Sequence, residues 1–511
     1  MENRVLGVNK WIIALSVVLP TLLEVIDTSV VNVSLNHIRG SLSAGLDEST
    51  WTITAYLVSN AIIIPLSGWL SRVFGRKRYL TFSVILFTVS SFLCGSARSL
   101  SMLVFFRVIQ GIGGGALQPL SQSILLESFP PYQHGMAMAM FGIGVMVGPI
   151  VGPVMGGWIT DNWSWPWVFY INIPIGILSV IMIMLFITDP PYLKRVKETV
   201  DYWGIGLIAV GLACLQIVLD KGQQEDWFQS AFITRLAVIA AVCLIAFLFV
   251  ERKAKHPVLN LRVFKNISFA SANGIQAIAF FVLYGSITLL PLFLQQLMGY
   301  NAFLAGMALA PGGVVTLVMM PVVAQMMRKV NPKIILACGL SMVAFSTYVA
   351  SRFNLNIDFW MVIMPRVYLG FGMAMVFVPL TSMAFATIKK EEMSNATSIF
   401  SLNRNLAGSF GIAFITTILA RRAQFHQARF SEQLNPFDPR YQNALRKAGE
   451  VLGTQDTTAA QGVIYQGLAQ QSALSAYVDA FYLTSMIMLC VIPLVILLKR
   501  PPRGEPPPAV H

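Results

Sequence analysis

The sequence predicts an all-α polytopic membrane protein with fourteen transmembrane helices. Three observations carry this. First, 56% of the 511 residues are hydrophobic and only 12% are charged, where a soluble domain is about a quarter charged. Second, apolar runs of roughly 20 residues, enough to cross a hydrocarbon core about 30 Å thick, recur from end to end. Third, part of the fourth run returns in the twelfth, so the chain divides into similar halves. Barrel strands would be about half as long and would alternate apolar with polar residues.

The spans fall near 11–35, 51–70, 79–97, 101–125, 137–159, 167–187, 202–219, 233–250, 268–296, 303–327, 333–351, 359–385, 396–419 and 477–498. The opening "MENRVLGVNKW" leads into a run with two acids and no small-residue cleavage signature, so the first span is expected to be retained. An even number of spans puts both termini on one side. With that side inside, 22 of the 36 Lys and Arg residues fall on the inner face and 11 on the outer. The other three, Arg107, Arg366 and Arg404, lie within spans. The excess predicts that both termini are cytoplasmic. The net charge of +13 is explained by these inner loops and does not call for nucleic acid. The five cysteines stand singly in apolar stretches. They read as core residues, and no His/Cys cluster suggests a metal.

One connection stands apart. Residues 420–475 are polar and Gln-rich and lie on the outer side by the charge count. Their length far exceeds an ordinary loop. Within it, 421–434 and 441–472 suit amphipathic helices that would meet a partner protein. Charged linkers at 188–201 and 251–267 flank two further helices between the halves. The expected domains are 1–198, an N-terminal six-helix bundle; 199–257, two inserted transmembrane helices; and 258–511, a C-terminal six-helix bundle with the long outer loop.

The repeat is read from "RVIQGIGGGALQPL" (107–120) and "RVYLGFGMAMVFVPL" (366–380). In both, a glycine follows the arginine by four residues, a second follows two later, and a proline stands near the end. The run "GIGVMVGPIVGPVMGGW" (142–158) spaces Gly144, Gly148, Gly152 and Gly156 by four, with Pro149, Pro153 and Gly157 woven in. Four-residue spacing aligns the glycines on one helix face, where a neighbouring backbone can come close, and the prolines bend the helix. In "GWLSRVFGRKRYL" (68–80), Gly68 and Gly75 bracket a tight connection, and Arg76 follows directly. The stretch from Gly111 matches a dinucleotide fingerprint literally, but it follows no strand and lies in an apolar helix. No phosphate loop, HExxH or GxSxG is present, which weighs against a membrane enzyme.

"LLEVIDTSVVN" (22–32) places Glu24 and Asp27 three residues apart, on one face of an apolar helix. Arg107 lies about six residues inside its span. A charge at a span's centre costs about 2.5–3.5 kcal/mol on the insertion scale, so these groups are expected to pair or to function. Tyr56, Asn60, Tyr284, Gln295, Gln296 and Arg404 are candidates for lining a central cavity. For each, ordinary packing or an inter-helix hydrogen bond is the competing explanation.

These motifs together resemble the major facilitator superfamily. Gly68, Leu70, Gly75, Arg76 and Lys77 resemble its loop signature, and Arg107, Gln110, Gly111 and Gly113 its fourth-helix signature. The run from Gly144 to Gly157 is similar to the fifth-helix signature of its antiporters. "IDTSVVNVSL" (26–35) resembles the first helix of its fourteen-helix drug:proton antiporters, and "DNWSWPWVFYINIPIG" (161–176) and "LAGSFG" (406–411) also fit. Two departures stand out. Arg72 occupies a position where the loop signature usually has Asp, and Glu24 is an acid where relatives carry a neutral polar residue.

The resemblance implies two six-helix bundles plus two inserted helices, alternating access, and export of hydrophobic or amphiphilic drugs in exchange for protons. No cofactor is implied; the proton gradient is the drive. It also implies the bacterial inner membrane as location. A periplasmic adaptor of the EmrA kind and an outer-membrane channel of the TolC kind would be reached through 420–475. In this reading Asp27 is the main proton carrier, Glu24 is a second acid titrating with it, and Arg107 tunes these acids or the substrate site. The alternatives are a proton-coupled transporter of one metabolite, such as a fatty acid or siderophore, and an uptake permease on the same fold.

Overall fold

The computed structural model describes residues 9–189, 201–254, 257–432, 434–453 and 457–499. Among them are seventeen α-helices and no strand. The first six spans are α1 (Lys10–Ser41), α2 (Leu46–Phe74), α3 (Arg76–Gly95), α4 (Leu100–Gly114) with α5 (Leu117–Ser128), α6 (His134–Asn162), and α7 (Trp167–Tyr170) with α8 (Asn172–Phe186). The inserted pair is α9 (Tyr202–Lys221) and α10 (Ala231–Lys253). The last six spans are α11 (Ile267–Gln296), α12 (Ala302–Met326), α13 (Pro332–Ala350), α14 (Phe359–Phe385), α15 (Met393–Glu432) and α17 (Thr457–Val491), with α16 (Pro439–Leu452) between the final two.

Thirteen of these stretches are long and apolar enough to cross a membrane. The remaining span, α6, has 29 residues, about 43 Å at 1.5 Å per residue. Asparagines start several helices. Asn9, Asn266, Asn301 and Asn331 each accept a hydrogen bond from a backbone N–H two or three residues on, which satisfies donors that the first helical turn leaves open. Gly75 alone joins α2 to α3, at φ +89°, a backbone that residues with a Cβ avoid.

The halves repeat each other in packing as well as in sequence. A methyl on Gly111 would overlap Ser59 on α2, and one on Gly113 would lie 2.7 Å from the Phe87 backbone nitrogen on α3. In the second half, a methyl on Gly370 would overlap the Gly312 carbonyl on α12, and one on Gly372 would meet Val343 on α13 at 2.7 Å. Each Arg-x-x-x-Gly-x-Gly segment therefore wedges its helix between two neighbours.

The inserted α9 packs against α2 and α15, with α10 outside it. The expected boundary at 198/199 lies outside the described residues.

The halves meet where α2 and α5 contact α15 and where α6 contacts α12 and α14. On the side where α1 begins and α17 ends, the first contact is tight. Ser67 and Ser398 hydroxyls are 2.9 Å apart, and Ser123 and Ser394 hydroxyls 3.2 Å. A methyl on Gly68 would come within 3.1 Å of the Ser394 carbonyl. Asn395 both donates to the Asn260 carbonyl and accepts from its N–H, each at 3.0 Å. Arg72, the departure from the loop signature, donates to the Pro257 carbonyl at 3.5 Å.

The polar connection 420–475 is largely helical among the described residues, as expected over 421–434, but the helices are arranged differently from the expectation. The flanking spans continue out as helices, α15 to Glu432 and α17 from Thr457. The single helix expected over 441–472 is divided, because α16 ends at Gly453, whose φ is +62°. The result is a helical hairpin with α16 packed on α17, standing roughly 20 Å beyond the apolar part of α15 at 1.5 Å per residue.

Candidate functional site

The run of glycines in α6 sets the position of the acidic helix. A methyl on Gly144 would lie 2.9 Å from Val18 Cγ1, and methyls on Gly148 and Gly152 would overlap Val25 and Ser29. One on Gly156 would come within 3.0 Å of the Val30 carbonyl. The four glycines thus form a groove that seats α1 along the stretch holding Glu24 and Asp27. Pro149, Pro153 and Gly157 belong to the same helix, and Gly157 has open space around its Cα.

Asp27 is completely enclosed. Its Oδ2 accepts from Arg107 Nη1 at 2.6 Å, and its Oδ1 accepts from Gln110 Nε2 at 2.9 Å and Asn172 Nδ2 at 2.7 Å. Arg107 also donates from Nε to the Thr52 carbonyl at 3.1 Å and from Nη1 to Gln110 Oε1 at 2.7 Å. Its guanidinium lies 4.2 Å from the Tyr56 ring centroid, where the ring's negative face favours a cation. Charge, donors and acceptors are matched around Asp27, so its buried charge is compensated.

Glu24 is different. It is 6% exposed. One oxygen accepts from Asn60 Nδ2 at 3.0 Å, while Oε2 has no hydrogen-bond partner among the described residues. The two acids share a helix face but turn to different neighbours, Glu24 to α2 and Asp27 to α4 and α8.

The Glu24 side reaches across to the second half. Asn405 Nδ2 on α15 donates to Asn60 Oδ1 at 3.3 Å. Arg404, also on α15, donates to Gln118 Oε1 of α5 and lies 5.9 Å from the ring centroids of both Phe141 and Phe280. Its Nη1 has no partner among the described residues. Arg404 is 5% exposed and sits between the halves.

Of the other candidates, Tyr56 and Asn60 are buried beside these acids. Tyr284 lines a cavity between α6, α11, α12 and α14. Gln295 and Gln296 are corrected: both are exposed at the last turn of α11, and Gln296 accepts from Tyr477 of α17 at 3.0 Å. Arg76 is buried and ion-paired with Glu127 at the end of α5. Sequence reasoning had not assigned roles to Gln110, Gln118, Asn172 or Asn405. Gln110 and Asn172 lie inside motifs already singled out, and a polar side chain in a span was the signal.

At the hairpin, Asp479 of α17 accepts from Arg422 Nε at 2.6 Å and pairs with His426 Nε2 at 2.7 Å, both on α15. A cavity of about 660 Å³ opens above them between α15, α16 and α17, lined by Gln427, Tyr441 and Tyr465 among others. Phe437 and Val451 are 90% and 86% exposed on this protrusion. No group of three or more His, Cys, Asp or Glu suited to a metal occurs among the described residues.

Comparison with known proteins agrees with this fold. Residues 17–412 match the family described as Major Facilitator Superfamily. The chain is 36% identical to the multidrug export protein EmrB of Haemophilus influenzae, over 96% of each chain. It is also 36% identical to the fatty acid resistance protein FarB of Neisseria gonorrhoeae, again over 96% of each. The crystal structure of the human organic anion transporter MFSD10 superposes with a TM-score of 0.60 at 14% identity, covering 94% of this chain and 100% of that one, a likeness of fold.

Proposed function

The chain belongs to the Major Facilitator Superfamily and is a membrane transporter rather than an enzyme, and from that premise we propose that it exports hydrophobic or amphiphilic toxic compounds in exchange for protons. Its near full-length similarity to relatives named for multidrug export supports this direction and substrate range. Alternating access moves the substrate, and the proton gradient drives it without a cofactor.

The observation that carries the proton assignment is the contrast between the two acids. Both Asp27 oxygens are engaged, by Arg107, Gln110 and Asn172, whereas Glu24 has an unpartnered oxygen. Glu24 is the exchangeable carrier, and Asp27 with Arg107 holds the helix that presents it. A proton on Glu24 removes a charge that otherwise attracts Arg404 from the opposite half. Losing that proton draws the halves together through Gln118 and Asn405, so protonation and domain movement are coupled.

Both termini are cytoplasmic and the membrane is the bacterial inner membrane. The hairpin then projects into the periplasm. Its exposed Phe437 and Val451 support docking of an adaptor of the EmrA kind, because large exposed apolar groups in a solvated region mark interaction surfaces. The adaptor in turn reaches a channel of the TolC kind.

Everted membrane vesicles test the reading. A substrate should collapse an imposed pH gradient in wild type, and Glu24→Gln should bind substrate but abolish the collapse. Substrate movement with no proton movement sinks the antiport reading, and proton movement in the same direction as substrate makes the protein a symporter.

A further inference from the structure

Arg366 follows the first residue of α14 by seven positions, as Arg107 follows the first residue of α4. The two arginines hold equivalent places in the repeated halves, and each is followed by the same glycine wedge. Their surroundings differ in one respect. Arg107 meets Asp27 on the first helix of its half, whereas Arg366 meets Ser286 on the first helix of the other. Arg366 Nη1 donates to Ser286 Oγ at 3.1 Å and Nη2 to the Ser286 carbonyl at 2.8 Å. Arg366 is only 4% exposed, and no carboxylate pairs with it among the described residues.

A buried cation without a counter-charge costs several kcal/mol, and in a membrane span such a residue is a functional site by default. Arg366 does not face packed side chains on every side. It lines the cavity that Tyr284 also lines, together with Met146 from the first half and Leu309, Gly313 and Met373 from the second. The walls are mostly apolar and the volume is about 70 Å³, about two waters at roughly 30 Å³ each. That suits a head group with its first carbons, not a whole drug.

We propose that Arg366 anchors the anionic head group of an amphiphile, whose apolar tail follows the contact between α6 and α12. The ligand supplies the negative charge that Asp27 supplies in the other half. A guanidinium offers a planar fork that matches a carboxylate's two oxygens. The proposal deepens the exporter reading by naming a substrate class, and rests on it only for the direction of transport.

The test is a ratio of affinities. Purified protein in phosphatidylcholine nanodiscs is titrated with dodecanoate and with dodecanol, which share a tail and differ in charge. Wild type should prefer dodecanoate by tenfold or more. Ser286→Asp, which installs the missing counter-charge, and Arg366→Gln, which removes the cation, should each bring the ratio near one. Because dodecanol reports on tail binding in every variant, general damage does not imitate this result. A wild-type ratio near one, or one that Ser286→Asp leaves unchanged, overturns the proposal. Competition by added phosphatidylglycerol supports the site and assigns a lipid as its occupant; its absence leaves the free amphiphile. Should export fail for every compound while the ratio holds, the exporter reading falls and this site stands.

Discussion

Arg107 Nη1 donates to Asp27 Oδ2 at 2.6 Å, with the two side chains 1% and 0% exposed. This pair does more than cancel two charges. Gln110 and Asn172 both donate to the other Asp27 oxygen, so Asp27 ties α1 to α4 and α8 at one point. Asparagine cannot replace it. If its oxygen takes the two amide donors, its own NH2 points at the guanidinium, donor against donor.

Asp27→Asn is therefore expected to destabilise the protein by about 3–5 kcal/mol, the range for breaking a buried pair by removing one partner. Arg107→Gln alone should cost a similar amount, and the double variant less than the sum. Thermal unfolding in detergent checks the cycle. Additive losses would show that the pair is not coupled and that Asp27 acts alone.

The glycine groove makes a prediction by position. A methyl on Gly148 would overlap Val25, whereas one on Gly157, on the same helix, meets nothing within 4 Å. Gly148→Ala should push α1 away from α6, lower thermal stability by about 1–3 kcal/mol as overpacking does, and reduce export. Gly157→Ala should leave stability within about 0.5 kcal/mol of wild type, as substitutions in open space usually do, and export unchanged. Equal behaviour of the two variants would mean that the groove is not what seats the acidic helix.

The spans were legible because the bilayer imposes one length on every apolar run. Helix α14 begins and ends where the composition predicted. The hairpin was not legible in that way. Outside the membrane the apolar signal that marks a span is gone, and the continuation of α15 to Glu432 rests on helix geometry, not hydropathy. Gln295 and Gln296 misled for a related reason. A polar residue at the edge of a run looks intramembrane until the helix end is located. Asp27 and Arg107 announced themselves as charges in apolar spans, but their partners Gln110 and Asn172 did not. A buried amide signals that it needs a hydrogen bond without saying which one. Ser286 is the extreme case, since what matters is the carboxylate it lacks, and an absence leaves no motif.

The clasp between the halves can be locked. Ser67 and Ser398 hydroxyls are 2.9 Å apart across α2 and α15, a separation compatible with the Cβ–Cβ distance of about 3.8 Å that a disulfide needs. In a background without the five native cysteines, Ser67→Cys with Ser398→Cys should crosslink on mild oxidation. If the clasp must open once per cycle, crosslinked protein should lose export at least tenfold and regain it on reduction. Export at the wild-type rate by fully crosslinked protein would show that α2 and α15 stay together throughout transport.

The hairpin should be separable from the transport machinery. Glu24, Asp27, Arg107 and Arg404 all lie within the bundle, while α16 contacts α17 only outside it. Replacing residues 433–456 by a short Gly-Ser linker removes α16 with Phe437 and Val451 but leaves the spanning parts of α15 and α17 unchanged. The Arg422–Asp479–His426 cluster below it stays in place and keeps the two stalks paired. Such half-buried pairs contribute on the order of 1 kcal/mol each, so the apolar packing of the spans must do most of the holding. The expected outcome is normal expression, thermal stability within about 1 kcal/mol of wild type and unchanged substrate-driven proton movement in vesicles. On the proposal that the hairpin docks an adaptor, resistance of whole cells should fall to that of a strain without the transporter. Full resistance with the deletion in place would remove the hairpin from the export path. Loss of proton movement in vesicles would instead tie α16 to the bundle's own cycle.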